Sequence, residues 1–329
     1  MLRRSLLAAA SILLLAASVP AMAAPAVAQT AEGPPVIMTG GDTGDYYLYF
    51  AKPLVKILDR AWVDATIQKS NGTPDNMDYL LTHQKSYAIG QGNVVAALLE
   101  EPKYAGKIRI LPTTGIGNEV VIAIMNQRTF DRSQGSWAVA ANHPKQVRFI
   151  TGPENSGPGR TMKQLMALDP DSLGKATSVT YAPSMDAAIN AVAAGDADVA
   201  LMVQFPNPEN PRFKMIAEKK LQIVPVIAET MKKLEIPGIG KAFTLCDGAQ
   251  VAPGKAIRTA CTPMLLLTGE TNDNPDLNKV IAEVKPADFT PQVPAFASFW
   301  KSMTKMGADT WDSTVAGTKQ LVTTVGDKF

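Results

Sequence analysis

The sequence predicts an α/β fold with largely parallel sheets, divided into two lobes that face each other across a cleft. Three observations predict it. From residue 36 to about 227, short β-rich runs alternate with segments whose apolar residues recur at helical spacing, the pattern of strands joined through helices. Two apolar strand-like stretches, 119–126 and 241–267, stand where the chain would cross between lobes. Glycine- and serine-rich turns follow several strands, at the carboxyl ends where open α/β sheets bind ligands.

The amino terminus reads as an export signal. Arg3 and Arg4 precede an apolar run from Leu6 to Ala17, and Ala21-Met22-Ala23 places small residues at a cleavage site. Cleavage is expected after Ala23, with Ala26-Val27-Ala28 as a second site, and residues 24–35 form a flexible leader in either case. The expected location is the periplasm. Removing residues 1–23 takes two arginines from 32 basic residues and none from 30 acidic ones, leaving a neutral chain. Neutrality argues against a nucleic-acid partner or a membrane-surface partner, both of which need a basic face.

The mature part then unfolds in order. Val36–Met38 is a first strand, followed by Thr39-Gly40-Gly41-Asp42-Thr43-Gly44-Asp45-Tyr46-Tyr47. Glycines let this backbone turn tightly near a ligand, and the N-terminus of the next helix favours a negative group. Asp42 and Asp45 are expected to hold the turn and the first helical residues, although Asp42 also suits an amino group. Phe50, Leu54, Ile57 and Leu58 share one helix stripe, in which Pro53 implies either a kink or a later start.

Further strands are expected at Val63–Ile67, Tyr87–Gly90, Ile108–Leu111, Val147–Ile150, Val199–Val203 and Leu221–Val226. Turns follow three of these: Ser70-Asn71-Gly72-Thr73-Pro74-Asp75-Asn76, Gln91-Gly92-Asn93, and Thr151 to Thr161 with Asn155-Ser156-Gly157-Pro158-Gly159-Arg160. Met185, Ile189 and Val192 share a helix face that Gly195 ends. Near the C-terminus, Ala295–Met306 and Trp311–Val325 carry apolar residues at helical spacing and read as helices buttressing the first lobe. The expected division is residues 36–125 and 263–329 in lobe 1 and 126–262, with the hinge crossings, in lobe 2.

Cys246 and Cys261 are the only cysteines. An oxidising compartment favours a disulfide between them, near the hinge, over two buried free thiols. His83 and His143 stand alone without ligand spacing, so neither a metal nor a cofactor is expected. No G-x-S-x-G or H-E-x-x-H motif occurs, and the chain is not expected to be an enzyme.

The order of the loops resembles the TAXI family, solute receptors of tripartite ATP-independent periplasmic (TRAP) transporters. The likeness lies in Thr39–Tyr47, Asn71–Asn76, Gln91–Asn93, Gly152–Gly157 and Ala194-Gly195-Asp196-Ala197-Asp198, over roughly residues 36–268. Departures are Asn71-Gly72-Thr73 in place of a Gly-Ser pair, Asn93 in place of an acid, and the position of Arg160. The resemblance implies a type II-like periplasmic-binding-protein clamshell, a Venus flytrap with a hinge of crossing strands. It implies a monomer that captures a carboxylate-bearing solute, such as an organic acid or glutamate, for TRAP permease subunits in the inner membrane. The implied ligand-binding residues are Asp42, Thr43, Gly44, Tyr46, Tyr47, Ser70, Asn71, Thr73, Gln91, Asn93, Asn155, Ser156, Gly157 and Arg160. A receptor serving an ABC transporter shares the architecture and stands as the alternative, ahead of a periplasmic enzyme.

Overall fold

The computed structural model describes residues 33–111, 116–284, 288 and 289. The expected signal peptide, most of the leader and both expected terminal helices lie outside the described residues. The chain opens with β1 (Val36–Met38), and its loop runs through a π-helical turn at Tyr46–Phe50 into α1 (Ala51–Asp59). β2 (Thr66–Gln68), α2 (Thr73–Thr82), β3 (Tyr87–Gln91), α3 (Gly92–Leu99) and β4 (Ile108–Ile110) complete the first half. The second half runs through β5 (Asn118–Met125), α4 (Gln127–Ser133), α5 (Trp137–Asn142), β6 (Phe149–Thr151), α6 (Gly157–Leu168) and β7 (Val179–Tyr181). It continues through α7 (Met185–Ala194), β8 (Val199–Gln204), α8 (Pro211–Glu218) and β9 (Gln222–Pro225). A small hairpin, β10 (Glu235–Ile236) and β11 (Gly240–Lys241), precedes β12 (Thr244–Ala252), β13 (Lys255–Gly269) and α9 (Pro275–Ala282).

The sheet order is β2-β1-β3-β13-β5-β8-β6-β7, with β4 and β12 also on β13 and β9 also on β5. β13 holds the halves together. Met264–Thr268 pairs antiparallel with β3, whereas residues on the other side of Pro263 pair with β12 and β5. The result is a mixed α/β fold of two halves joined through one sheet. Parallel pairing is confined to β1 with β2 and β3, and to β6 with β7 and β8, while every pair involving β5 or β13 is antiparallel. The expected largely parallel arrangement therefore gives way to a mixed one, because the crossing strands enter each half against its βα units. β5 pairs with β8 from Val120 to Met125.

Local sequence explains the elements that frame the cleft. Phe50, Leu54, Ile57 and Leu58 are all buried on one stripe, joined by Phe205 and Phe289, whose rings stand 5.2 and 5.1 Å from Phe50. Pro53 falls in the first turn of α1, directly after the π-helical turn Tyr46–Phe50, so the helical path is already under way before it and is irregular there. Ser184 caps α7 by accepting from the Ala187 N–H at 3.0 Å, and Gly195 closes it at φ 83°, a left-handed conformation that suits glycine. β5 is buried on both faces after its first residue, which is why its sequence is apolar without alternation.

Cys246 and Cys261 form a disulfide that ties β12 to β13, with Cα atoms 5.9 Å apart. Cys261 also sits opposite Val120 of β5, so the bridge lies beside that strand as well. Closing a loop of this length stabilises by roughly 3 kcal/mol on the chain-entropy account. Replacing both cysteines with serine should lower unfolding free energy in urea by about that amount; an unchanged midpoint would show that β12 and β13 need no bridge.

Candidate functional site

Strand ends and turns converge on a cleft of about 290 Å³. Asn76, in α2, is the stitch: its buried Nδ2 donates to the Thr39 and Ile89 carbonyls, each at 2.7 Å, fixing the ends of β1 and β3 together. Ser70 Oγ donates to the Thr39 carbonyl at 2.9 Å and accepts from the Gly72 N–H at 3.0 Å, so the second turn is bound to the first. Gly44 gives its N–H to the Gly41 carbonyl at 2.9 Å, which closes the first turn on itself. Across the cleft, Ser156 caps α6 through the Gly159 N–H at 3.3 Å and donates to the Pro153 carbonyl at 2.6 Å.

The cleft is lined by Asp42, Thr43, Gly44, Tyr46, Ser70, Asn71, Thr73, Gln91, Ser156 and Gly157 among the residues expected from sequence. Four others stand off it. Tyr47 lies under Lys69, whose ammonium is 4.8 Å from its ring centre. Asn93 is buried between α3 and α6, donating to Thr161 Oγ1 at 2.9 Å and Gln164 Oε1 at 2.6 Å, because its position on the first turn of α3 directs it to the neighbouring helix. Asn155 is exposed on the outer side of the loop. Arg160 is one helical turn into α6, and its charge acts on Asp78 and Glu154 rather than on the lining. Asp42 is exposed and paired with Lys69.

Four polar residues that sequence reasoning did not single out complete the cleft and its support: Glu119, Gln204, Asn210 and Arg212. Asp45 does not cap the helix that follows it. It is buried instead, accepting from the Gln204 side chain, from the Phe205 N–H at 3.0 Å and from Asn210 Nδ2 at 2.7 Å. Arg212 donates from Nε to Asp186 and from its two terminal nitrogens to Gln204 and Thr43, all at 2.8 Å. The Tyr46 hydroxyl donates to Glu119 Oε2. A single acid opening an otherwise apolar strand was the available signal for Glu119. Arg212 also left one, since a cation in the first turn of a helix is unfavourable unless an acid offsets it.

Burial pushes the Asp45 carboxyl up to about 6, against the hydrogen bonds it accepts and the Arg212 charge. Burial pushes Glu119 further, to about 8, against the Tyr46 hydrogen bond and the Arg212 charge and with the Asp45 charge adding to the rise. Among the described residues no three His, Cys, Asp or Glu side chains converge to hold a metal. No described helix is long and apolar enough to cross a membrane.

No family model matches the sequence, and no curated protein matches it. Among solved structures the chain is similar to MatC from Rhodopseudomonas palustris with bound malate, at 13% identity and TM-score 0.49, over 90% of this chain and 98% of that one. It is also similar to iron-bound HitA from Pseudomonas aeruginosa, at 12% identity and TM-score 0.48, over 79% of this chain and 85% of that one. The periplasmic VFT2 domain of BvgS from Bordetella pertussis is similar at 13% identity and TM-score 0.45, over 80% of this chain and 93% of that domain.

Asp45 and Glu119 hold protons more tightly folded than unfolded, so their contribution to stability is greatest below the ordinary carboxyl range and is lost as pH rises through about 6 and about 8. The melting temperature of the ligand-free protein should therefore fall between about pH 5 and 8.5, and Glu119→Gln should flatten the upper part of that fall. A wild-type profile that rises across this window would contradict the assignment.

Proposed function

We propose that this protein is an exported receptor that captures a small carboxylate-bearing solute, an organic acid or an amino acid such as glutamate, and passes it to a TRAP-type secondary transporter. The carrying observation is a cleft of about 290 Å³ with walls from both halves, the Gly40–Tyr46 and Ser70–Thr73 turns on one side and the Gly152–Pro158 loop with Arg212 on the other. That volume lies at the small end of ligand pockets and suits a metabolite better than a peptide. Solute held by both halves stabilises the closed arrangement by the contacts that exist only there. The TAXI-like order of loops supports the same reading, with the periplasm as location and inner-membrane permease subunits as partners.

Glycine keeps the two walls close. A Cβ on Gly72 would stand 3.7 Å from the Gly157 nitrogen, and a Cβ on Gly157 would overlap the Gln91 side-chain oxygen. Gly157→Val should therefore weaken solute binding by tenfold or more, on the order of 1.4 kcal/mol, while circular dichroism stays native; unchanged affinity would show that the walls need not approach here. A thermal-shift screen of organic and amino acids should find a stabilising solute, worth about 2.7 kcal/mol at a hundredfold excess over its Kd. Failure of every carboxylated solute to stabilise the protein would count against this function.

A further inference from the structure

Glu119 is an acid in the cleft that no base among the described residues contacts, although the Arg212 charge acts on it across the lining. It stands at the start of β5, lines the cleft and is 6% exposed. Its Oε2 is held by the Tyr46 hydroxyl, and no ion pair reaches it among the described residues. The neighbouring charges are committed elsewhere. Asp45 takes three donors from Gln204 at the end of β8 and from Phe205 and Asn210 after it, Asp42 faces Lys69, and Arg212, the one basic side chain in the lining, is paired with Asp186. The lining thus carries three acids, Asp42, Asp45 and Glu119, against one base.

A nearly buried carboxyl beside a second buried acid needs either a proton or a cation. In the empty cleft the proton serves. A solute that is only anionic would leave that proton in place and add a further negative charge, whereas a solute bearing an ammonium group supplies the missing cation. The same solute's carboxylate would then face the amino end of α6, where Ser156 and Gly157 line the cleft, and the N–H groups of Arg212 that its three partners leave over.

We propose that Glu119 is the subsite for an ammonium group, so that the solutes of this cleft are α-amino acids rather than plain organic acids; this rests on the receptor function proposed above. Binding then carries a proton balance. The ammonium group lowers the proton affinity of Glu119, the Glu119 proton leaves to the buffer, and an ion pair replaces the neutral acid.

The test uses L-glutamate, L-aspartate, L-leucine and L-alanine, each beside the 2-hydroxy acid of the same skeleton. Calorimetry at about pH 7 in two buffers of different ionisation enthalpy reads affinity and proton transfer together. At least one amino acid should bind about tenfold tighter than its hydroxy partner, with net proton release. In Glu119→Gln both the preference and the release should disappear. Hydroxy acids binding as tightly as their amino partners, or proton uptake on binding, would overturn the ammonium subsite and leave the receptor function standing. A preference for the amino acid without proton release would remove Glu119 from that role. Binding of neither series would overturn both. Should Glu119→Gln fail to fold, the wild-type proton transfer decides the matter.

Discussion

The backbone of β13 is the constraint on which the rest of the structure depends. A strand buried in a sheet must pair its N–H and C=O groups along its whole length, and this one does so with different partners at its two ends. Met264–Thr268 is satisfied by β3, and the stretch before Pro263 by β12 and β5. Pro263 cannot donate an N–H, and it falls where the pairing changes hands. Because Gln91 is opposite Met264, the end of β3 and its turn are delivered to the same place as the start of β5. The cleft lies there because one continuous strand cannot serve both halves anywhere else.

Electrostatics then gives that place its character. Gly-rich turns at strand ends and a capped helix usually make a site for anions, yet much of this machinery is turned inward. The Gly44 N–H is spent on Gly41, and Ser156 on its own helix. What remains toward the cleft is the Tyr46–Glu119 pair beside a network in which Asp45 accepts from Gln204 and Asn210, and Arg212 donates to both Gln204 and Asp186. A buried carboxylate costs far more than a neutral group unless it is hydrogen-bonded or paired. Asp45 meets that condition with three donors, whereas Glu119 has one and rises further from its ordinary range. The difference between these two acids is one of partners, not of depth.

The parts of this arrangement legible in sequence were the local ones. A strand followed by a glycine turn and a helix fixes where a loop will be, so the Thr39–Tyr47, Ser70–Thr73, Gln91 and Ser156 turns could be placed without knowing the fold. Which way a side chain faces within such a turn is decided by tertiary neighbours. Gln91 and Asn93, two positions apart, both donate to Thr161 of α6, yet only Gln91 lines the cleft while Asn93 goes on to Gln164. Asp45 read as an ordinary helix-start acid, and its donors come from residues 204–210, well over a hundred positions away. Arg212 and Asn210 were not singled out from sequence. Asn210 is a helix cap, its Oδ1 accepting from the Arg212 N–H at 2.8 Å, and its other end reaches Asp45. A residue with two duties shows only the local one in sequence.

The contacts across the cleft also set the terms on which it can open. Asp45 with Gln204 and Asn210, Tyr46 with Glu119, and Gln91 and Asn93 with Thr161 and Gln164 all join the halves or the strand that links them. Separation would exchange each of these for water at little net cost, since hydrogen bonds between protein groups and with solvent are nearly balanced. The charged members would gain from it, because both carboxyls ionise more readily once wet. The apolar contact of Phe50 with Phe205 opposes opening, as its rings would lose buried area. An empty cleft is therefore held between an apolar contact that favours closure and two buried acids that disfavour it. Under the proposed ammonium subsite, a group that neutralises Glu119 from within would remove one of the two costs of closing.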